Sequence, residues 1–417
     1  MRLEQLSLIN YRGFKNTTID FDGKSVVFYG INGAGKSSIL KSICTILTQS
    51  INRIANNQFK QQIGLQRDDV RFGSTMLSLT CKFSLHDGEY RSLNMSYNKT
   101  SGAKNNIRKE VAMFVDAFNE CYMQEGETLP VFAYYGVNRV VLDIPLRIRT
   151  KHEFGRLETY QNSISTKTDF RTFFEWFRNQ EDLENEMKVK TNNLEYKDHC
   201  LEATRSAITQ MLPELSNIRI VRKPLRMCAT KHGQTLSMEQ LSDGEKCVVA
   251  MLGDLSRRLA LANPHLENPL LGTGIVLIDE IELHMHPSWQ RKIIAVLQNI
   301  FPNIQFIITT HSPMVLGELN DAFKVYGLLQ TNDDIEIENM VTGYYDANLI
   351  LEDRMQTPSI NPKVAELEEI IWSYLQQQDF VAAEEYVTQL KSLTNNTHPS
   401  ITKAQILIQR GKRKLGE

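Results

Sequence analysis

Neither sign of charge dominates this chain. Its 47 lysines and arginines face 49 aspartates and glutamates, so no global basic character announces nucleic acid, although a local basic groove stays open. Cysteine is scarce. The six cysteines, at positions 44, 81, 121, 200, 228 and 247, are scattered without a CxxC pair. That argues against a disulfide framework or a zinc site and for reduced thiols in a cytosol. No apolar run reaches the roughly 18 residues that a membrane span needs. The N-terminus enters a strand-like run directly, with no signal-peptide pattern. The expected localisation is therefore cytoplasmic, with no membrane contact. At 417 residues the chain is long enough for two or three domains and a large core.

Against these absences stands one dense motif, Gly30-Ile31-Asn32-Gly33-Ala34-Gly35-Lys36-Ser37, followed by Ser38. It is Gly, four residues, then Gly-Lys-Ser, the phosphate-binding loop pattern. Ser25 to Tyr29 ahead of it reads as a buried strand. Ser38 to Leu47 after it carries Ile39, Leu40, Ile43 and Leu47 at helical spacing. Strand, loop and helix is the context the motif requires. The glycines let backbone N–H groups turn toward phosphate oxygens, and the helix N-terminus adds partial positive charge. Lys36 is placed to reach the β/γ-phosphates and the Ser37 hydroxyl to ligate Mg²⁺. Gly30, Asn32, Gly33, Ala34, Gly35, Lys36, Ser37 and Ser38 are the candidate nucleotide contacts.

Around this motif the pattern predicts an α/β architecture. Two strands open the chain within Met1 to Asp22, with Tyr11-Arg12-Gly13-Phe14 as their turn. Strands return at Leu77–Leu85 and Arg91–Tyr97, joined by a hairpin. A polar loop is expected from Thr100 to Lys109, a helix over Val111–Glu125 and a short strand over Pro130–Tyr135. Asp169 to Leu212 reads as one long, charged helical insertion ended by Pro213. Ile218–Met227 reads as a single strand carrying Arg219, Arg222, Lys223 and Arg226. A helix is expected over Cys247–Leu261, another over Pro287–Phe301, and a helical hairpin includes Tyr374 to Leu393.

Three further motifs narrow the chemistry. Gly274 to Ile278 is a continuous apolar strand ending in Asp279-Glu280, a Walker B pattern. Asp279 would hold Mg²⁺ through water, and Glu280 would act as general base on the attacking water. Thr309-Thr310-His311-Ser312-Pro313 closes the next apolar strand. This puts His311 at the ligand-binding edge of a parallel sheet, in reach of a γ-phosphate or the water. Leu241-Ser242-Asp243-Gly244-Glu245 precedes a helix more than 200 residues after the first loop. A second phosphate cradle in one subunit points to service of a partner subunit's nucleotide.

Together these motifs resemble the ABC-type ATPase superfamily in its SMC/Rad50/RecF/OLD-like branch. The resemblance implies an ABC-type P-loop domain of mixed sheet and helices, with ATP and Mg²⁺ at a site shared by two subunits. Leu241-Ser242-Asp243-Gly244-Glu245 stands where that family has Leu-Ser-Gly-Gly-Gln. Ser242 and Gly244 keep the phosphate-facing positions, while Asp243 and Glu245 depart from the transporter pattern. Ile278 to Pro287 resembles that branch's Walker B and D-loop, and His311 matches its switch histidine. Asn10 to Phe14 resembles its opening, where Arg12 would approach the nucleotide. No glutamine matches the Q-loop; Tyr134 to Arg139 occupies that region. A narrower resemblance is to the ATPase subunits of Septu-type and retron-associated anti-phage systems. It implies a homodimer or larger oligomer and a separate nuclease partner, of HNH type.

The expected domains are 1–100, the first half of the ATPase domain; 101–217, a mainly helical insertion with a return strand near 130–135; 218–330, its second half; and 331–417, a helical C-terminal region. Neither a TOPRIM-like acidic cluster nor an HNH-like constellation is legible, and no heptad run persists through the insertion. The lead reading is an ATP-hydrolysing subunit that regulates a partner nuclease. Two alternatives stand beside it: a RecF-like repair ATPase binding DNA through Arg219, Arg222, Lys223 and Arg226, and a nucleotide sensor without turnover.

Overall fold

The computed structural model describes the chain except residues 60, 62, 107, 125, 139–153, 166–169, 332–333, 341–346, 355–357, 359 and 416–417. Two compact units emerge, Met1–Tyr345 and Asp346–Glu417.

The first unit is organised by a six-stranded sheet. Its strands are β3 (Ser25–Gly30), β7 (Val131–Tyr135), β11 (Gly274–Ile278), β12 (Ile304–Thr310), β13 (Phe323–Gln330) and β14 (Ile335–Met340), in the order β14-β13-β3-β12-β11-β7. All neighbours pair in parallel except β13 and β14. β7, β11 and β12 are buried at every position, as near-continuous apolar runs become when both faces of a parallel sheet are covered. The order β3-β12-β11 sets three carboxyl ends side by side: that of β3, which leads into the Gly-rich loop, that of β12, which leads to His311, and that of β11, which leads to Asp279.

A five-stranded antiparallel sheet opens the chain: β1 (Arg2–Tyr11), β2 (Phe14–Asp20), β4 (Met76–Ser84), β5 (Tyr90–Asn98) and β6 (Lys104–Asn106), in the order β2-β1-β4-β5-β6. The Gln305 side chain on β12 locks this sheet to the central one. It accepts from Leu3 N–H at 2.7 Å and donates to the carbonyls of Leu3 and Lys24. The helices of this unit are α1 (Lys36–Ile54), α2 (Arg108–Tyr122), α3 (Phe170–Lys190), α4 (His199–Met211), α5 (Asp243–Ala262), α6 (Pro287–Gln290), α7 (Ile293–Ile300) and α8 (Pro313–Leu316). α5 is buried on nearly every side, which marks it as a core helix.

Several elements differ from the sequence expectation. The polar stretch after Thr100 contains β6, which pairs with β5. The long helical stretch is two helices, α3 and α4, with α4 capped by the Asp198 side chain accepting from Leu201 N–H. Ile218–Met227 is not one strand. It spans a hairpin of β8 (Leu215–Arg222) and β9 (Leu225–Lys231), turning at Lys223-Pro224, with β10 (Gln234–Ser237) completing a three-stranded sheet. Pro224 cannot donate to a ladder, so the chain reverses there. α5 begins four residues earlier than expected, and the helix expected over Pro287–Phe301 is the pair α6 and α7. Strand β14 lies beyond position 330, where a helical region was expected to begin.

The second unit contains α9 (Ala347–Leu349), α10 (Pro362–Gln376), α11 (Phe380–Thr394) and α12 (Pro399–Leu415). Asn361 and Asp379 cap α10 and α11 through side-chain oxygens. Val364, Ile371, Ala383, Val387, Leu390, Ile401, Ala404 and Ile408 form its core. Their helical spacing is what lets three short amphipathic helices stabilise one another.

Candidate functional site

The loop between β3 and α1 takes a conformation that glycine permits. Gly30 has φ 152°, and a Cβ there would lie 2.7 Å from the Leu328 carbonyl of β13. Strand β13 can pack against the loop only because that side chain is missing. Lys36 opens α1 almost fully buried. Its Nζ donates to the carbonyls of Gly30 and Ile31, at 2.9 and 3.0 Å. Burial lowers the Lys36 ammonium to about 8, against the pull of Glu280, Glu282 and Asp279. Ile31, Asn32 and Gly33 are exposed, whereas Ala34 is buried.

Asp279 leaves the end of β11 with its backbone N–H on the Tyr135 carbonyl of β7, at 2.8 Å. One carboxylate oxygen, Oδ1, accepts from Ser37 Oγ at 3.0 Å and from Thr309 Oγ1 at 2.7 Å. Thr309 in turn accepts from Glu280 N–H at 2.8 Å. Glu280 has φ 49°, a region an L-residue enters at a cost of about 1 kcal/mol or more, and one over-represented at active sites. Its carboxylate lies 3.9 Å from Nε2 of His311, whose Nδ1 is 3.5 Å from Lys36 Nζ. Lysine only donates, so Nδ1 accepts and the imidazole proton sits on Nε2, toward Glu280. Burial, then the Lys36 charge, holds the His311 pKa below its ordinary value, which favours the neutral ring.

Glu282 braces this edge. It accepts from the His311 backbone N–H and from Thr310 Oγ1. Arg12 reaches the first turn of α1 through Nη1 to Ser38 Oγ at 3.1 Å, held by Asp69 through Nε at 3.0 Å. Thus Arg12, the Gly30–Ser38 loop, Asp279, Glu280 and His311 converge on one edge of the central sheet.

Ser242 and Gly244 are joined to this cluster only indirectly. Ser242 caps α5 in a closed box. Ser242 Oγ donates to Glu245 Oε2 at 2.7 Å, and Ser242 N–H donates to the same oxygen at 2.9 Å. Lys231 pairs with Glu245 Oε1 at 2.6 Å. These contacts, with desolvation opposing them, hold the Glu245 carboxyl below its ordinary range. Both Ser242 and Asp243 are exposed. Gly244 is buried, and a Cβ there would lie 2.4 Å from the His284 carbonyl. Close approach of the segment after Glu280 therefore demands glycine at 244.

Thr309, Glu282, Asp69 and Glu245 had no assigned role in the sequence. The signal for Glu245 was present as Ser-x-x-Glu ahead of an apolar run, a capping box. Of the stretch near the missing Q-loop, Tyr134 to Asn138 is described and Arg139 lies outside the described residues. The basic residues expected to form one strip are divided over the β8–β9 hairpin. Arg222 is engaged by Glu181 at 2.9 Å and Asp182 at 2.5 Å on α3.

A family model described as "AAA domain" matches residues 5–216. A second, "AAA domain, putative AbiEii toxin, Type IV TA system", matches residues 127–317. The chain is 31% identical over 380 residues to "Retron Ec83 probable ATPase" of Escherichia coli, covering 76% of this chain and 69% of that one. It is 32% identical over 373 residues to "Retron Vc95 probable ATPase" of Vibrio cholerae, covering 76% and 71%. The chain belongs to the AAA-domain ATPases that include these retron ATPases. "Septu protein PtuA" of Bacillus thuringiensis is 25% identical over 319 residues, covering 75% of this chain and 72% of that one. Among solved structures, an SMC head bound to the C-winged helix domain of ScpA matches with TM-score 0.51 and 13% identity, over 82% of this chain and 98% of that one. At that identity the likeness concerns the fold: an SMC-head-like ABC-type P-loop domain, with the helical C-terminal region in addition. No helix among the described residues is long and apolar enough to cross a membrane.

The donor set fits a magnesium nucleotide. Ser37 Oγ and Asp279 Oδ1 are hard oxygens in contact, the type Mg²⁺ accepts. Lys36 and the α1 N-terminus supply positive charge next to them.

Proposed function

We propose that this ATPase hydrolyses ATP at sites shared between two copies of the chain, and that closure of the pair regulates a separate nuclease, of HNH type, in anti-phage defence. The observation that carries the reading is the Ser37–Asp279–Thr309–Glu280 cluster. It aligns a metal-ligand pair and a carboxylate beside a buried lysine.

In this reading Gly30, Asn32, Gly33, Ala34, Gly35 and Ser38 line the phosphates, and Arg12 approaches the nucleotide from the first turn of α1. Lys36 exchanges its two loop carbonyls for phosphate oxygens. Ser37 and Asp279 would hold Mg²⁺, which would supply positive charge against the transferring phosphoryl group. Glu280 takes the proton of the attacking water. His311, neutral and with Nε2–H toward Glu280, orients that carboxylate and the water between them. The exposed Ser242 of one copy, at the N-terminus of α5, closes over nucleotide held by the other, with Gly244 giving the close backbone approach. Nucleotide thereby favours the closed pair and hydrolysis releases it, a two-state element that can gate an effector.

Phosphate release at saturating ATP tests the hydrolysis. Glu280→Gln should lower turnover at least about a hundredfold, in line with loss of a general base, while ATP binding is retained. Parental turnover in that variant would remove Glu280 from the role. Co-purification tests the partner: an HNH-type nuclease retained with the tagged chain supports it, and its absence would remove it.

A further inference from the structure

α5 and β7 are fastened together at two points. At one end the Asn263 side chain accepts from Leu129 N–H at 2.8 Å and donates to its carbonyl at 3.3 Å. At the other, nucleotide-facing end, Tyr135 OH donates to Asp254 Oδ2 at 3.0 Å. Tyr135 has a second contact: its backbone carbonyl accepts the N–H of Asp279 at 2.8 Å. One residue thus touches both α5 and the first residue beyond β11.

Asp254 sits twelve residues along α5 from Ser242, roughly 18 Å. It is fully buried between two arginines: Arg257 Nη2 donates to Oδ1 and Arg258 Nε to Oδ2, each at 2.7 Å. Arg258 is fixed further by the carbonyls of Thr159 and Gln161. Arg257 is equally buried, yet among the described residues its Nε and Nη1 have no hydrogen-bond partner.

We propose that Tyr135 is a positioning residue that transmits the seating of the Ser242 end of α5 to the Asp279–Glu280 carboxylates. Ser242 and Asp254 lie on one continuous helix, so a displacement of its exposed cap on engaging a second copy is carried along α5 to Asp254. The Tyr135–Asp254 bond converts that movement into a displacement of the end of β7. The Asp279 N–H, hung on the same residue, follows it. The effect is a carboxylate pair whose placement is adjusted when the partner is seated. This rests on the shared-site reading.

The test uses the full chain as wild type, Tyr135→Phe and Ser242→Arg. Three quantities are measured for each: turnover at saturating ATP, ATP affinity, and melting temperature. The phenylalanine variant keeps the ring and removes one hydrogen bond, while both arginines still hold Asp254. The expected result is a fall in turnover of about tenfold, the scale of one buried hydrogen bond, with ATP affinity within about twofold. Turnover within twofold of wild type would overturn the proposal. So would a parallel fall of turnover, affinity and melting temperature, which is what a purely structural tyrosine gives. Ser242→Arg turning over like wild type would instead remove the shared-site reading, a separate result from that of Tyr135→Phe.

Discussion

Ser37 Oγ and Asp279 Oδ1 meet at 3.0 Å although 242 residues separate them. The first follows the Gly-rich loop and the second ends an apolar strand, and strand order alone brings them together. β12 lies between β3 and β11, so a side chain at its carboxyl end can bridge groups that follow the ends of its neighbours. The Thr309 hydroxyl closes the gap, and from that placement follow the predictions below.

Thr309→Val keeps the shape of the side chain and removes the hydroxyl that donates to Asp279 and accepts from Glu280. Both neighbours lose a partner in a mostly buried setting, a loss of the order of 1–3 kcal/mol. Turnover should fall about tenfold to a hundredfold while ATP still binds. Phosphate release paired with calorimetric binding checks this; wild-type turnover would show that the bridge plays no part in the chemistry.

Nucleotide binding should be linked to protons through Lys36. Its ammonium titrates at about 8 before phosphate arrives, and an added phosphate charge raises that value. Binding near pH 8 therefore takes up a proton, and affinity weakens as pH rises above it. Calorimetry in two buffers of different ionisation enthalpy measures the uptake; a buffer-independent heat would contradict it.

His311 titrates with the opposite exposure to acid. Its folded pKa lies below the ordinary 6.5, so the unfolded chain binds the proton more readily. Its contribution to stability is present above about pH 6.5 and is lost as the pH falls through that value toward the folded pKa. His311→Gln should flatten the acid limb of a melting-temperature profile between pH 7 and 5. An unchanged limb would assign that loss to other groups.

The box at the start of α5 is a stability element apart from any role toward a partner. Glu245→Ala removes the carboxylate that holds Ser242 and Lys231, and should cost about 1 kcal/mol. Urea denaturation reads this directly. No change in midpoint would mean that solvent replaces the carboxylate without loss.

How much of this was legible in sequence depends on whether the information is local. The Gly30–Ser38 loop announces itself within nine residues, and the Asp279-Glu280 pair sits at the end of a run that can only be a buried strand. Thr309 gave no such signal, because a threonine at a strand end gains meaning only from which strands flank it. Glu282 is the same case: its oxygens face His311 and Thr310 across 29 and 28 residues. The hairpin at Lys223-Pro224 did leave a mark, since a proline within a strand-like run argues against a continuous strand. Strand β14, beyond the last motif, is buried only at Ile335, and it lies in the 331–417 region expected to be helical.

The central claim is that two copies share the nucleotide, and the mass of the purified protein in solution tests it most directly. It is measured with and without ATP and Mg²⁺, using Glu280→Gln to hold the bound state and adding Ser242→Arg to block the second copy. The account predicts an ATP-dependent assembly of at least two chains in Glu280→Gln, lost when Ser242→Arg is added. The same monomer mass with and without ATP would contradict it.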